Sequence, residues 1–169
     1  TTLAARAAND PPPVQPAPPV VPPALPPAAA APGAQAALPP TTGNAQEDYD
    51  RAYGALRRQD YENAEAAFRA FLRGHGRDRL VPNATYWLGE SLYQRQRYRD
   101  AAEQFLKLST DYPQAQVAPN ALLRLGESLA ALGERDAACA TFGEAMRKHP
   151  NAPQSIRKEL EQERKRARC

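Results

Sequence analysis

Several residue types on which reactive sites depend are scarce in this 169-residue sequence. It contains two cysteines and two histidines, and none of them has the CxxC or HExxH spacing that indicates a metal site. It also lacks a glycine-rich phosphate-binding loop and any run of 18 apolar residues that could span a membrane. We therefore expect no metal, no cofactor and no membrane span.

A nucleophilic serine is not expected either, although Leu-Gly-Glu-Ser occurs at 88–91 and again at 125–128. A nucleophile elbow requires glycine two residues after the serine, on a turn from a strand into a helix. Tyr93 and Ala130 occupy those places, within a helical pattern. The sequence therefore predicts a protein that is not an enzyme.

Aromatic residues are absent from the first 44 positions, which hold 13 of the 18 prolines. A segment of this composition buries too little apolar surface to offset the entropy of ordering its backbone. We predict that residues 1–44 form a disordered Pro/Ala-rich linker with polyproline-II character. The rest of the chain is long enough for a single core.

Charge is nearly balanced, with a formal net value of +3. The last 16 residues are the most basic, with six basic and three acidic side chains, and such a tail can contact nucleic acid or anionic lipid. Because acids are mixed among the bases and no aromatic is interleaved, a solvated helix face is the favoured interpretation. Recognition of RNA would need one basic face with stacking aromatics, so we expect no nucleic-acid partner.

The sequence does contain an internal repeat. VPNATYWLGESL (81–92) and APNALLRLGESL (118–129) lie 37 residues apart, and the same shift relates three copies at about 45–81, 82–118 and 119–152. In each copy apolar residues recur at helical spacing, are interrupted once, and end near a proline in copies two and three. Each copy is therefore predicted to be a helix, a tight turn and a second helix. The shift aligns Ala64 with Ala101 and Ala138, Phe68 with Phe105 and Phe142, Gly89 with Gly126, and Pro113 with Pro150.

Glycine inside the first helix of copies two and three indicates a close helix crossing. Gly89 and Gly126 cost roughly 1 kcal/mol each relative to alanine in a helix, which is reasonable where a partner helix leaves no room for a side chain. The phenylalanines are expected to fill the space between neighbouring pairs. The two histidines, His75 and His149, are expected to cover the ends of second helices by meeting their last carbonyls.

These slots resemble the tetratricopeptide repeat, although the first copy departs from it, with Arg51-Ala52 in place of Leu-Gly and Gly76 in place of proline. We therefore predict an all-α fold of three such repeats in a right-handed superhelix, with residues 153–169 as a capping helix and tail. Stacked helical pairs bury faces that a lone pair cannot, and about three repeats are the usual minimum.

Residues 83–133 resemble more specifically the C-terminal domain of the periplasmic Tol–Pal-associated cell division coordinator family. Tyr-Trp-Leu-Gly-Glu at 86–90, Tyr-Pro at 112–113 and Ala-Leu-Leu-Arg-Leu-Gly at 121–126 are the residues on which this rests. The resemblance implies a non-enzymatic adaptor in the periplasm of a Gram-negative bacterium. Its implied partners are a TolA-like periplasmic segment and a cell-wall synthase, and its implied role is to coordinate outer-membrane constriction with cell-wall synthesis during division.

The family also carries a signal peptide and a trimeric coiled coil upstream of its linker. No heptad run occurs here, so the coiled coil either precedes Thr1 or is absent, and a homo-oligomer depends on it. Two alternatives to the adaptor remain: a repeat scaffold of another envelope assembly, such as an outer-membrane protein assembly lipoprotein, and a structural spacer. The lipoprotein would need a lipidated N-terminal cysteine and usually more repeats.

The two cysteines, Cys139 in a second helix and Cys169 at the chain end, are either a disulfide or two free thiols. An oxidising periplasm favours the bridge, provided that the two Cα atoms lie within about 7 Å.

A polar and aromatic stripe along each first helix is predicted to line a concave groove. Pro82 and Pro119 suit the first turn of a helix, and the asparagine after each of them opens a stripe that lies away from Leu88 and Leu92. Aromatics beside amides suit an extended or helical peptide. The alternative is that Tyr86 and Trp87 only pack between repeats. The predicted groove residues are Tyr49, Tyr53, Asn83, Tyr86, Trp87, Glu90, Tyr93, Asn120, Leu123, Arg124 and Glu127.

Overall fold

The computed structural model describes residues 41–169, which form seven α-helices and no strand. Most of the predicted linker, residues 1–40, lies outside the described residues. The helices are α1 Ala45–Arg57, α2 Tyr61–Gly74, α3 Val81–Gln94, α4 Tyr98–Asp111, α5 Ala118–Ala131, α6 Arg135–Lys148 and α7 Gln154–Arg166. The prediction of an all-α fold is confirmed.

The helices stack in chain order as three pairs and a final helix. Each helix packs on the next, and the first helices of the pairs, α1, α3 and α5, also contact one another. The second helices α2, α4 and α6 make no such contact among themselves. Because the first helices are closer together, they line the concave side of the stack and the second helices form its convex side. The pairs thus build the superhelix of tetratricopeptide repeats that the sequence predicts.

A left-handed residue closes the turn inside each repeat. Gln59 has φ 60°, Gln96 has φ 61° and Gly133 has φ 80°, and these three positions lie 37 residues apart. Glycine adopts this conformation without a steric penalty, whereas a residue with a Cβ pays roughly 1–2 kcal/mol. The three repeats therefore use the same turn geometry even where the residue is glutamine.

The helix starts use two different devices. The Asn44 side chain accepts hydrogen bonds from the backbone N–H groups of Gln46 and Glu47 at the start of α1, which satisfies donors that have no partner within the helix. By contrast, α3 and α5 each have a proline in the first turn, where a missing N–H costs no helical hydrogen bond. These two helices begin one residue before the prolines.

The glycines of the repeated phrase lie directly under phenylalanine rings. A Cβ added to Gly89 would lie 2.6 Å from the Phe105 ring, and Phe142 covers Gly126 in the same way. The predicted close crossing is therefore confirmed. The expectation that the phenylalanines fill the space between neighbouring pairs is wrong, because each ring covers the glycine of its own helical pair. Both phenylalanines are fully buried, and they fix the distance between the paired helices.

The final helix is held in place by its apolar face and by a disulfide just after its C-terminal end. Ile156 and Leu160 are buried in the core, and α7 contacts both α5 and α6. Cys139 of α6 and Cys169 form a disulfide with their Cα atoms 5.5 Å apart, so the chain end is fastened to α6. None of the helices in the described region is long and apolar enough to cross a membrane.

Candidate functional site

The predicted groove residues fall into two groups along the concave face. Tyr49, Tyr53 and Trp87 meet where α1 packs on α3. The residues of the later first helices gather where α3 packs on α5 and α5 on α7; they are Tyr86, Glu90, Tyr93, Asn120, Leu123, Arg124 and Glu127. Asn83 is half-buried near the start of α3.

At the α1–α3 junction the aromatic side chains pack against one another. Trp87 Nε1 donates a hydrogen bond of 3.0 Å to the Tyr49 hydroxyl. The rings of Tyr53 and Trp87 have centroids 5.3 Å apart, and those of Tyr49 and Tyr53 stack at 6.3 Å. Burial raises the pKa of Tyr49 above its ordinary value. These residues hold repeat one against repeat two.

At the α3–α5 junction a charged residue occupies the same slot. Arg124 lies 37 positions after Trp87, and it likewise contacts the preceding first helix. Its guanidinium lies 3.1 Å from Glu90 Oε1 and 2.8 Å from Glu127 Oε2, and 5.2 Å from the centroid of the Tyr93 ring. Burial opposes its charge, but Glu90 and Glu127 outweigh that effect and raise the pKa of Arg124 further above its usual value.

The Glu90 carboxylate is the most buried charge of this junction, at 7% exposure. Its Oε1 accepts hydrogen bonds from Gln94, at 2.8 Å, and from Arg124. Its Oε2 lies 3.0 Å from Arg124 Nε in an ionic contact, yet it accepts no hydrogen bond from the described residues. We attribute this to the orientation of the Arg124 Nε–H group, because a short N···O distance is a hydrogen bond only when the N–H points at the acceptor. Arg124 thus contacts both oxygens of Glu90, by a hydrogen bond at Oε1 and by an ion pair at Oε2.

A cleft of about 350 Å³ opens between the concave face and α7. Five predicted residues line it, and they are Tyr86, Asn120, Leu123, Arg124 and Glu127. The other wall is a set of α7 residues that the sequence analysis treated only as a cap: Ile156, Glu159, Gln162, Glu163 and Arg166. The spacing of this wall, at i, i+3, i+6, i+7 and i+10, is that of one helix face, so a helical plot of α7 could have found it.

Carboxylates outnumber cations in this cleft. Burial raises the pKa of Glu127; Arg124 opposes this, whereas Glu163 and Glu90 raise it further. Arg166 pairs with Glu163 at 2.5 Å, and Glu159 is exposed on the cleft wall. The cleft therefore offers negative charge that its own arginines do not fully neutralise.

One histidine interaction differs from the sequence-based expectation. The backbone N–H of His75 caps α2 by donating to the Phe71 carbonyl, but its ring does not meet the helix end. Instead, Nε2 lies 2.8 Å from Oδ2 of the buried Asp48 in α1. Desolvation opposes ionisation of Asp48, yet hydrogen bonds from His75 and Thr42 outweigh it and hold the pKa of that carboxyl below its usual value. The described residues contain no cluster able to hold a metal ion.

Comparisons with known proteins agree with this geometry. Two tetratricopeptide repeat models match the chain, over residues 49–116 and 120–152. Cell division coordinator CpoB of Pseudomonas putida is 43% identical over 42 residues, which are 25% of this chain and 16% of that protein. CpoB of Escherichia coli is 38% identical over 63 residues, 36% of this chain and 23% of that protein. The matched stretch thus spans less than a quarter of either relative.

Solved structures share the fold at low sequence identity. The Sgt2 tetratricopeptide domain of Aspergillus fumigatus has a TM-score of 0.62 at 15% identity, covering 78% of this chain and 83% of that one. The second such domain of human RPAP3, in complex with the HSP70 peptide SGPTIEEVD, has a TM-score of 0.58 at 16% identity, covering 72% and 98%. The Yersinia enterocolitica chaperone SycD, in complex with a YopD peptide, has a TM-score of 0.60 at 18% identity, covering 72% and 92%. The chain belongs to the tetratricopeptide repeat family, and its repeat domain is CpoB-like.

Proposed function

We propose that this protein is a non-enzymatic, protein-binding adaptor of the Tol–Pal system in the periplasm of a Gram-negative bacterium. In that role it helps to coordinate outer-membrane constriction with cell-wall synthesis during cell division. The observation that supports the proposal best is the concave face of α1, α3 and α5, which ends in a cleft against α7. The likeness to two proteins named cell division coordinator supports the cellular role.

The concave face has suitable chemistry for a peptide segment. Asn83 and Asn120 are half-buried at equivalent positions of α3 and α5, and an amide can both donate to and accept from the backbone of a ligand. Two proteins with this fold, RPAP3 and SycD, have been solved with bound peptides. We propose that the ligand here is a TolA-like periplasmic segment, with a cell-wall synthase as a second partner.

A structural spacer is the alternative, and the two junctions favour it. Trp87 is bonded to Tyr49, and Arg124 to Glu90, so both side chains already serve to hold successive repeats together. A spacer function requires only these contacts between repeats from the concave face. The adaptor function predicts that the half-buried asparagines contribute to the affinity for a protein ligand, whereas the spacer function does not.

The test is calorimetry with the periplasmic region of a TolA-like protein from the same bacterium. We expect Asn83→Ala combined with Asn120→Ala to weaken binding at least tenfold, or about 1.4 kcal/mol. Tyr86 is left unchanged because it is 8% exposed and its removal would disturb the core. Gln104→Ala, on the convex helix α4, is the matched control and should bind as the unmodified protein does.

Thermal melts of all variants must coincide for the comparison to hold. Equal affinity of the double variant and the control would move the interface away from the concave face. Absence of binding by the unmodified protein would contradict the TolA-like partner and favour the spacer.

A further inference from the structure

We infer that the cleft between α5 and α7 receives a lysine or arginine side chain from the bound protein segment. This inference rests on the proposed function, because it names the chemistry that the same concave face selects. It is argued from the charges of the cleft and from its size.

The charge of the cleft is negative after its internal pairs are counted. Glu127, Glu159 and Glu163 line it together with Arg124 and Arg166. Arg124 is paired with Glu127 and with Glu90 behind it, and Arg166 is paired with Glu163. Among the described residues Glu159 has no ion pair, so a cation entering the cleft finds an available carboxylate. An acidic ligand would find both guanidinium groups already occupied.

Glu90 lies behind the cleft, where it is 7% exposed. Arg124 donates a hydrogen bond to its Oε1 and lies 3.0 Å from its Oε2, and the same guanidinium pairs with Glu127. One arginine is thus shared between two carboxylates, which leaves the surroundings of the cleft with more negative than positive charge. A ligand that brings positive charge is therefore favoured over an acidic ligand.

The dimensions suit one long side chain and its flanking backbone. The volume of about 350 Å³ is near the lower end of the range for ligand pockets. Leu123 and Ile156 lie at the base of the cleft but are only 3% and 9% exposed, so the accessible lining is mainly polar and the charged end of a lysine or arginine would meet the carboxylates. The half-buried Asn120 also lines the cleft, and its amide can hydrogen-bond the ligand backbone. A bare metal ion is a poorer occupant, since no metal-ligating cluster is present in the described residues.

The experiment compares three acetylated and amidated pentapeptides, Ala-Ala-Xaa-Ala-Ala with Xaa as Lys, Gln or Glu, by ¹H–¹⁵N NMR titration of the full chain. We expect the Lys peptide to shift the amides of Asn120, Glu127, Ile156 and Glu159. We also expect it to bind at least about fivefold more tightly than the Gln peptide, equivalent to about 1 kcal/mol. The Glu peptide should bind most weakly. The preference for Lys should fall at high salt, because added salt shortens the Debye length and screens the attraction between the charges.

Glu159→Gln should reduce the preference for Lys over Gln at least about threefold, since it removes the unpaired carboxylate without changing the shape of the cleft. Glu103→Gln, an exposed position on the convex helix α4, is the matched control and should leave the preference unchanged. Equal binding of the Lys and Gln peptides, or no shift at the cleft with any of them, overturns the inference.

The two proposals can fail separately. If the TolA-like region binds through Asn83 and Asn120 but the pentapeptides show no preference for Lys, the adaptor function stands and the lysine cleft is wrong. If the Lys peptide is preferred but the TolA-like region does not bind, the cleft chemistry stands and the proposed partner is wrong.

Discussion

Single residues set the spacing between helices and the chemistry between repeats. At the slot of Gly89 and Gly126 the absence of a side chain lets a phenylalanine ring lie on the helix backbone. At the slot of Trp87 and Arg124 the repeat keeps its geometry and changes its chemistry, from a tryptophan–tyrosine hydrogen bond to an arginine–glutamate pair. A repeat position thus specifies where a contact forms, and the residue at it specifies the kind of contact.

Gly126→Ala should destabilise the protein by about 1–2 kcal/mol. The new methyl group collides with the fully buried ring of Phe142, and overpacking of this kind costs about 1–3 kcal/mol. The better helix propensity of alanine returns up to about 1 kcal/mol of that. Urea unfolding followed by circular dichroism measures the difference.

The control is Gly143→Ala in α6, where an added Cβ would meet nothing within 4 Å. It gains helix propensity without a collision and should be stabilised by up to about 1 kcal/mol. Equal stability of the two variants would show that the Phe142 ring does not constrain Gly126.

At the scale of elements, α7 is both a cap and a wall. Its buried Ile156 and Leu160 cover the last repeat, and the adjacent face provides the acidic side of the cleft. Contact through a few apolar residues leaves most of this helix exposed, so its position depends strongly on the disulfide to α6.

Replacement of Cys139 and Cys169 by serine should lower the free energy of unfolding by about 3–4 kcal/mol. The bridge closes a loop with a sequence separation of 30, and a cross-link of this length restricts the unfolded chain by about that amount. Thermal or urea unfolding of the oxidised protein, the reduced protein and the double variant provides the comparison.

Reduced protein should match the double variant, since both lack the same cross-link. Cys169→Ser alone should behave in the same way, because either serine breaks the bridge. Equal stability of oxidised and reduced protein would contradict this account of how α7 is held.

For the whole molecule, the stack has a linear organisation. Contacts join helices that are neighbours in sequence, together with α1 to α3, α3 to α5 and α5 to α7, and none joins α1 or α2 to α5 or α6. In such an arrangement stability is approximately the sum of repeat and nearest-neighbour interface contributions. A local perturbation should therefore weaken its own end of the stack most.

Hydrogen exchange on the Gly126→Ala variant tests this organisation. We expect protection to fall first in α5, α6 and α7, while α1 and α2 keep most of theirs, because sub-global opening follows the units that share contacts. Gly143→Ala should show no such loss. A uniform decrease over all seven helices would instead indicate a single cooperative unit.

The sequence by itself determined the helices, their order and the three-repeat stack. The 37-residue period, the glycine and alanine slots and the prolines near the second-helix ends act over short separations, where helical spacing relates a residue to its neighbours. For the same reason the resemblance to the tetratricopeptide repeat and to the cell division coordinator could be recognised, and both are confirmed. Sequence patterns also placed five residues of the cleft on the correct helices.

Only the tertiary structure decided which distant side chains meet. Trp87 and Tyr49 are 38 positions apart, Arg124 and Glu90 are 34, and His75 and Asp48 are 27. Such pairs depend on the angle and offset between stacked helices, which the spacing within one helix does not contain. The expectation for the His75 ring was wrong because an isolated helix end offers carbonyls, whereas the stack also offers the Asp48 carboxylate. The acidic wall of the cleft and the joining of Cys139 to Cys169 likewise follow from where α7 docks, and a docking position is set by apolar contacts across the whole stack.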